Sequence, residues 1–194
     1  RFLLWLSNLL PRHTSDNEGS VKQEEEKKED EDEPPTTGTP ISFDVSDSTT
    51  DIGKKLASIG DTSGGAQDVD AGTYDSVTLA ITNTSGSNQI CKPKSSVYSI
   101  QLKKNAATAS FEVKTGAKIV ITAESSGATT TTYYTVSGAA SGNDTVTGSG
   151  ATDWKDLSLT ATSDGTVTIT IPSNQSDGST ANNNLRIQKI TVTY

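Results

Sequence analysis

Several residue types are nearly missing from this sequence, and each shortage closes a class of function. Histidine occurs once, as His13, and cysteine once, as Cys91. A single histidine excludes a His-based catalytic or metal cluster within the chain. A single cysteine excludes an internal disulfide and the paired thiols of a C-x-x-C redox or zinc motif, so Cys91 reads as a small strand residue. Aromatic residues make up 5% of the chain and apolar residues 31%. The Leu- and Ala-rich stretches that a coiled coil, a helical bundle or a multi-pass membrane protein requires are not there. The short apolar run Phe2 to Leu10 falls well below the roughly 20 residues needed to cross a bilayer. Methionine is absent, even at position 1, so the N-terminus reads as truncated and any targeting signal in it as incomplete. Basic residues number 16 against 24 acidic ones, for a net charge of −8. A polyanionic backbone finds little attraction in such a chain, which excludes nucleic acid as the partner.

What the 194 residues do contain is hydroxyl: 30 Thr and 25 Ser. Their distribution, together with the charge, divides the chain in three. Residues 1–14 form an apolar head around Trp5, read as the remnant of a signal or membrane anchor, or as the end of an upstream segment. Residues 15–40 are a linker. Ten acids lie between Asp16 and Glu33 against three lysines, and the run ends in Pro34-Pro35-Thr-Thr-Gly-Thr-Pro40. Like charges and the scarcity of apolar side chains predict an extended, disordered tether. Residues 41–194 carry a different pattern.

From Ile41 onward apolar residues recur at every second position. Ile41-Ser-Phe43-Asp-Val45, Val77-Thr-Leu79-Ala-Ile81 and Ile100-Gln-Leu102 alternate in this way, the signature of half-buried strands. Phe111 to Val113 and Ile119 to Ala123, joined across Gly116, read as a hairpin. Leu157 to Ala161 and Val167 to Ile171, joined by Asp164-Gly165, read as a second hairpin with a tight turn of positive φ. In the closing run Leu185-Arg-Ile187-Gln-Lys-Ile190-Thr-Val192 the apolar phase slips by one, which predicts a β-bulge. One short helical turn is expected within Asp51 to Ile59. About eight strands with polar turns and no long amphipathic helices between them indicate an all-β antiparallel β-sandwich or jelly roll. No internal repeat is found.

The segments Asp70-Ala-Gly-Thr-Tyr-Asp-Ser-Val-Thr-Leu79, Ile100-Gln-Leu-Lys-Lys-Asn105, Ser110-Phe-Glu-Val113, Ala117-Lys-Ile-Val-Ile-Thr122, Thr166-Val-Thr-Ile169 and Leu185 to Val192 follow one another in an order that is familiar. This order resembles the galactose-binding-like β-sandwich modules appended to secreted bacterial pectate lyases and related polysaccharide-degrading enzymes. The resemblance spans most of 41–194. It implies a noncatalytic accessory module that binds carbohydrate of plant-polysaccharide type, pectin included, on a secreted or surface-tethered bacterial protein. The implied partner is a polysaccharide or cell-surface glycan, the implied tether to membrane or envelope runs through the N-terminus, and the module is expected to be a monomeric part of a larger protein. A structural spacer or adhesin-type surface domain without a small ligand is the alternative reading.

Sugar recognition needs an aromatic platform for the C–H face of a ring and planar polar groups for its hydroxyls, with Lys or Arg where the sugar is acidic. Trp154 is out of phase with Leu157, Leu159 and Ala161, so it need not share their buried face. Tyr133 and Tyr134 are adjacent on a strand, which turns one inward and one outward. Asn183 and Arg186, beside the last strand, and Lys103 and Lys104, at the end of an earlier one, complete the candidate ligand-binding set. Each has a structural reading too: Trp154 as a cover for the core, the asparagines 182–184 as a turn that satisfies backbone groups, and the lysines as a solvated loop. Catalysis has no support in the sequence. Glu112, Glu124, Asp153 and Asp156 show no glycosidase pairing, and neither a G-x-S-x-G elbow nor a histidine stands ready to activate a serine. No cofactor is expected. A structural calcium is the one addition such modules take, and no EF-hand-type spacing marks a site for it.

Overall fold

The computed structural model describes residues 37–59, 67–82, 88–91, 98–127, 129–148 and 154–194. The apolar head, His13, the linker up to residue 36 and Asp153 lie outside them. The described residues form two antiparallel sheets packed face to face.

The front sheet is built from β1 (Ile41–Asp44), β2 (Gln67–Val69), β5 (Asn88–Cys91), β6 (Ser99–Leu102), β8 (Lys118–Ser125), β11 (Lys155–Thr160) and β13 (Leu185–Thr193), after β3 (Gly72–Tyr74), β4 (Val77–Ile81), β7 (Ala107–Val113), β9 (Thr130–Gly138), β10 (Gly142–Gly148) and β12 (Gly165–Thr170) are set aside for the back sheet. The front order is β11-β8-β13-β6-β5-β2, with β1 alongside the C-terminal half of β13, and the back order is β10-β9-β12-β7-β4-β3. The sequence marked about eight of these strands. The additional ones include short or Gly-, Asn- and Thr-rich stretches such as β3 and β10, which carry too few apolar residues to show a period.

The alternation has the expected cause. Phe43, Leu79, Ile100, Leu102, Ile119, Ile121, Val167, Ile169, Ile187 and Ile190 are all buried, and they come from both sheets and meet between them. Apolar surface leaving water contributes about 25 cal/mol per Å2, and a sheet collects this on one face only, so each strand alternates. The phase slip in β13 is a bulge: its register against β8 shifts between Ile187 and Lys189, which returns Ile190 to the core side.

The two expected hairpins are not hairpins. β7 and β8, which flank Gly116, lie in opposite sheets, as do β11 and β12, which flank Asp164-Gly165. Both connections are arches that carry the chain across the core. Alternation shows that a strand has one buried face. It does not show whether the next strand pairs beside it or faces it. The two arches bond each other instead, Gly116 N–H to the Ala161 carbonyl and Ala161 N–H to that of Ala117, both at 2.9 Å. The Asp164 carboxylate, expected in a tight turn, accepts from Thr115 N–H at 2.9 Å and from Lys114 Nζ at 2.8 Å. A true two-residue hairpin turn joins β3 to β4, where Asp75 and Ser76 take φ of 49° and 66°, the positive values that matching the strand twist requires.

Where the sequence predicts one helical turn, the helix α1 (Asp51–Ile59) runs for nine residues. Thr50 caps it, accepting Gly53 N–H at 3.1 Å, and Asp75 reaches over from the β3–β4 turn to accept from Asp51 and Ile52 N–H at 2.6 and 3.0 Å. These bonds satisfy donors that a helix start otherwise leaves unpaired. No described helix is long and apolar enough to cross a membrane.

Candidate functional site

The front sheet turns its outer face away from the core. On β8 that face carries Thr122 and Glu124, since Ile119, Ile121 and Ala123 point inward. Cross-strand register places Arg186 of β13 opposite Glu124 and Gln101 of β6 opposite Arg186. Lys155 pairs with Ala123, so Trp154, one position earlier, extends the row at the edge strand. Trp154, Glu124, Arg186 and Gln101 thus form one line across four strands. At about 4.8 Å per strand it is roughly 14 Å long.

Arg186 Nη1 lies 3.3 Å from Glu124 Oε1, with side-chain exposures of 17% and 1%. A buried ion pair is weak as a source of stability, because desolvation consumes most of the attraction. It does hold a guanidinium in one place. Arg186 Nε and the indole Nε1 of Trp154 are both shielded from solvent and find no acceptor among the described residues. Buried donors without acceptors are rare and ask for a reason. Below this row Thr122 donates to Asp156 at 2.7 Å, and Lys189 meets Asp44 at 3.3 Å.

The other predicted residues fall elsewhere. Tyr134 is fully buried between the sheets, and burial pushes its phenol pKa up, with the charges of Asp144 and Asp156 adding to the effect. It offers nothing to a ligand. Tyr133 is the outward member of the pair, half-buried on the outer face of the back sheet opposite Thr145, and so on a different face from Trp154.

Asn183 and Lys104 are engaged in holding the fold. β12 accompanies β9 only between Thr135 and Gly138, which leaves the same edge of β9 open from Thr131 to Tyr133. Asparagine side chains fill the gap. Asn182 Oδ1 accepts Tyr133 N–H at 2.9 Å, its Nδ2 donates to the Tyr133 carbonyl at 2.7 Å, and Asn183 Nδ2 donates to the Thr131 carbonyl at 2.9 Å. Lys104 donates through Nζ to the Asn182 carbonyl and through its backbone N–H to Asn184 Oδ1 at 3.0 Å. Lys103 is half-buried, and its carbonyl accepts from Ala106 and Ala107. The turn reading of the asparagines is therefore the one the structure supports. What these bonds achieve is placement: they fix the start of β13, and with it Arg186.

No protein-family model matches the chain, and no curated protein matches it. Solved structures do. An exo-β-1,3-galactanase from Phanerochaete chrysosporium, with galactose, is similar over 66% of this chain at 20% identity and a TM-score of 0.40, and the chain spans 29% of that enzyme's length. The CBM22-1 xylan-binding domain of a Paenibacillus barcinonensis protein is similar over 66% of this chain and 90% of its own, at 11% identity and a TM-score of 0.40. A CBM61 module in complex with β-1,4-galactotriose gives 70% and 92%, at 13% identity and a TM-score of 0.35.

Sequence reasoning missed two features. Glu124 was weighed only as a catalytic acid, and nothing in its position shows that it would sit beneath Arg186. A cleft at the far end of the sandwich, lined in part by Glu112 and Tyr194, was also missed. Among the described residues no group of three or more His, Cys, Asp or Glu stands together to hold a metal.

Proposed function

We propose that the chain is a noncatalytic carbohydrate-binding module that uses the outer face of the front sheet. One observation carries the reading: Trp154, Glu124, Arg186 and Gln101, separated by up to 85 positions in the sequence, lie in one row. An indole offers a flat apolar surface to the C–H face of a sugar ring, while guanidinium and amide groups hydrogen-bond neighbouring hydroxyls, with Glu124 holding the guanidinium in place from below. The Arg186 guanidinium, 17% exposed, is the charged donor suited to a sugar hydroxyl or a uronate carboxylate. The row exceeds one ring in length, which favours a polysaccharide, and plant polysaccharides including pectin are the ligand class. Ion pairing ties up Glu124, and no activated nucleophile stands beside it, so the row binds without cleaving. Attachment to a secreted or surface-tethered bacterial protein through the linker, as a monomeric module, belongs to the same proposal.

Calorimetric titration with xylan, β-1,4-galactan and polygalacturonate tests it. At least one glycan should bind the parent chain, and Trp154→Ala should lower the affinity tenfold or more with its thermal transition preserved. Retention of full affinity in Trp154→Ala would remove the row as the site. Failure of every glycan to bind would leave the spacer or adhesin-type reading in its place.

A further inference from the structure

A cleft of about 590 Å3 opens at the other end of the molecule. Thr37, Gly38 and Thr39 line it together with Ile41 and Tyr194, and so do Thr73, Ser76 and Thr78 of the β3–β4 hairpin and Glu112, Val113, Lys114 and Gly165 of the back sheet and its arches. Arg186 and Tyr194 are eight residues apart along β13 and just past its end, roughly 26 Å at strand rise, so the cleft is separate from the row of Trp154.

Its chemistry is specific. Tyr194 is 43% exposed, and the backbone of Gly38 lies against its ring so closely that a β-carbon at 38 would stand 1.9 Å from Cζ. Glycine at that position is what allows the segment 37–40 ahead of β1 to close over the tyrosine and form a wall. Hydroxyls dominate the remainder: Thr73 and Thr78 share a hydrogen bond of 2.9 Å, and Thr166 donates to Glu112 Oε1. Two charged groups reach the cleft. The Lys114 ammonium is paired with Asp164 at 2.8 Å, and that contact holds the carboxyl of Asp164 down to about 2. The lysine charge is therefore already balanced by Asp164, whereas Glu112 accepts from the Thr166 hydroxyl. The cleft presents an aromatic edge, a set of hydroxyls and a net negative charge.

We infer that this cleft is a second saccharide-binding site, one that takes a neutral sugar unit and rejects uronates. A neutral sugar donates its hydroxyls to Glu112 and receives hydrogen bonds from the threonines, with an apolar ring face on Tyr194. A uronate brings a second carboxylate to Glu112, and like charges brought together repel. The row around Arg186 has a guanidinium donor and no such bias. The two sites thus differ in the charge they accept, and a polysaccharide with both kinds of unit could engage them together, which raises avidity without a new contact.

Residue-resolved NMR separates the two sites in the unmutated full chain. Titration of the 15N-labelled protein with β-1,4-galactotriose or xylohexaose should shift the amide signals of Thr73, Thr78, Glu112 and Gly165 in a saturable way. Trigalacturonic acid at equal concentration should leave those four signals unmoved. Glu112→Gln should weaken neutral binding in the cleft roughly five- to tenfold, the usual loss when a charge-assisted bond becomes a neutral one, and should let trigalacturonic acid enter. Shifts at these residues support the inference whether or not Glu124 and Arg186 respond, so its fate is independent of the front-sheet site. Absence of any cleft shift with both neutral oligosaccharides, or tighter cleft binding of the uronate, would overturn it.

Discussion

Asn182 allows the most complete test of how this fold holds its site in place. Its side chain is 1% exposed and makes four hydrogen bonds: Oδ1 accepts from Tyr133 N–H at 2.9 Å and Asn183 N–H at 3.0 Å, and Nδ2 donates to the carbonyls of Tyr133 at 2.7 Å and Pro172 at 3.0 Å. Replacement by alanine removes all four and leaves backbone groups of β9 without partners in a partly buried place. A buried hydrogen bond contributes about 1 kcal/mol net, and an abandoned group costs about 1–3 kcal/mol. Water can reach part of this loop, so the loss should come to about 3 kcal/mol. For a domain of this size that lowers the melting temperature by roughly 6–12 °C. Asn182→Asp is the sharper variant. It keeps both acceptor bonds but turns a carboxylate toward two carbonyl oxygens, so at neutral pH it should be at least as unstable as the alanine variant. Acidification, which restores one donor, should narrow the gap. Urea denaturation followed by circular dichroism measures all three proteins. An alanine variant within about 0.5 kcal/mol of the parent, or an aspartate variant of parental stability at pH 7, would refute the claim that this side chain substitutes for a missing stretch of β12.

Three further outcomes are expected. Asp164 and Asp177 have carboxyl pKa values lowered to about 2 from 3.8, by Lys114 and Thr115 in one case and by Thr180 and Ser179 in the other. Since the folded value is the lower one, their contribution to stability is present above about pH 4 and is lost as pH falls toward 2; the double variant Asp164→Asn, Asp177→Asn should flatten the urea midpoint across that window, and an unchanged slope would count against these contacts. Gly138 has φ of +99°, and a β-carbon there would lie 2.0 Å from the Thr166 carbonyl oxygen, so Gly138→Ala should cost about 2 kcal/mol or more, read as a lower denaturation midpoint; a cost below about 0.5 kcal/mol would mean that the β9 end repacks freely. Gly116, also at positive φ but with open space around it, should lose only the backbone share of that cost on the same substitution, which a side-by-side melting comparison would show.

The sequence by itself determined which residues face inward. Period two runs through β1, β4, β6, β8, β12 and β13, and the apolar residues it marked there are buried except Ile81 at the end of β4, which is 40% exposed; the recovery of phase at the β13 bulge is among the buried ones. Burial on one face of a pleated strand acts locally, at every second side chain, so it leaves a local mark. Trp154 was likewise legible as out of phase, and Tyr133 and Tyr134 as facing opposite ways. Only the tertiary structure decided how strands are joined. The arches at Gly116 and Asp164-Gly165 read as hairpins because a turn residue permits a reversal without specifying whether the chain returns in the same sheet or across the core. It also decided which polar groups are available. Asn183 and Lys104 are chemically suited to sugar, yet an unpaired edge of β9, formed by residues some 50 positions away, engages the asparagine side chains, and Lys104 is bonded to the turn they form. Glu124 meets Arg186, and Glu112 shares a cleft with Tyr194, through cross-strand register and chain return. These are long-range consequences of packing two sheets, and no short window of sequence records them.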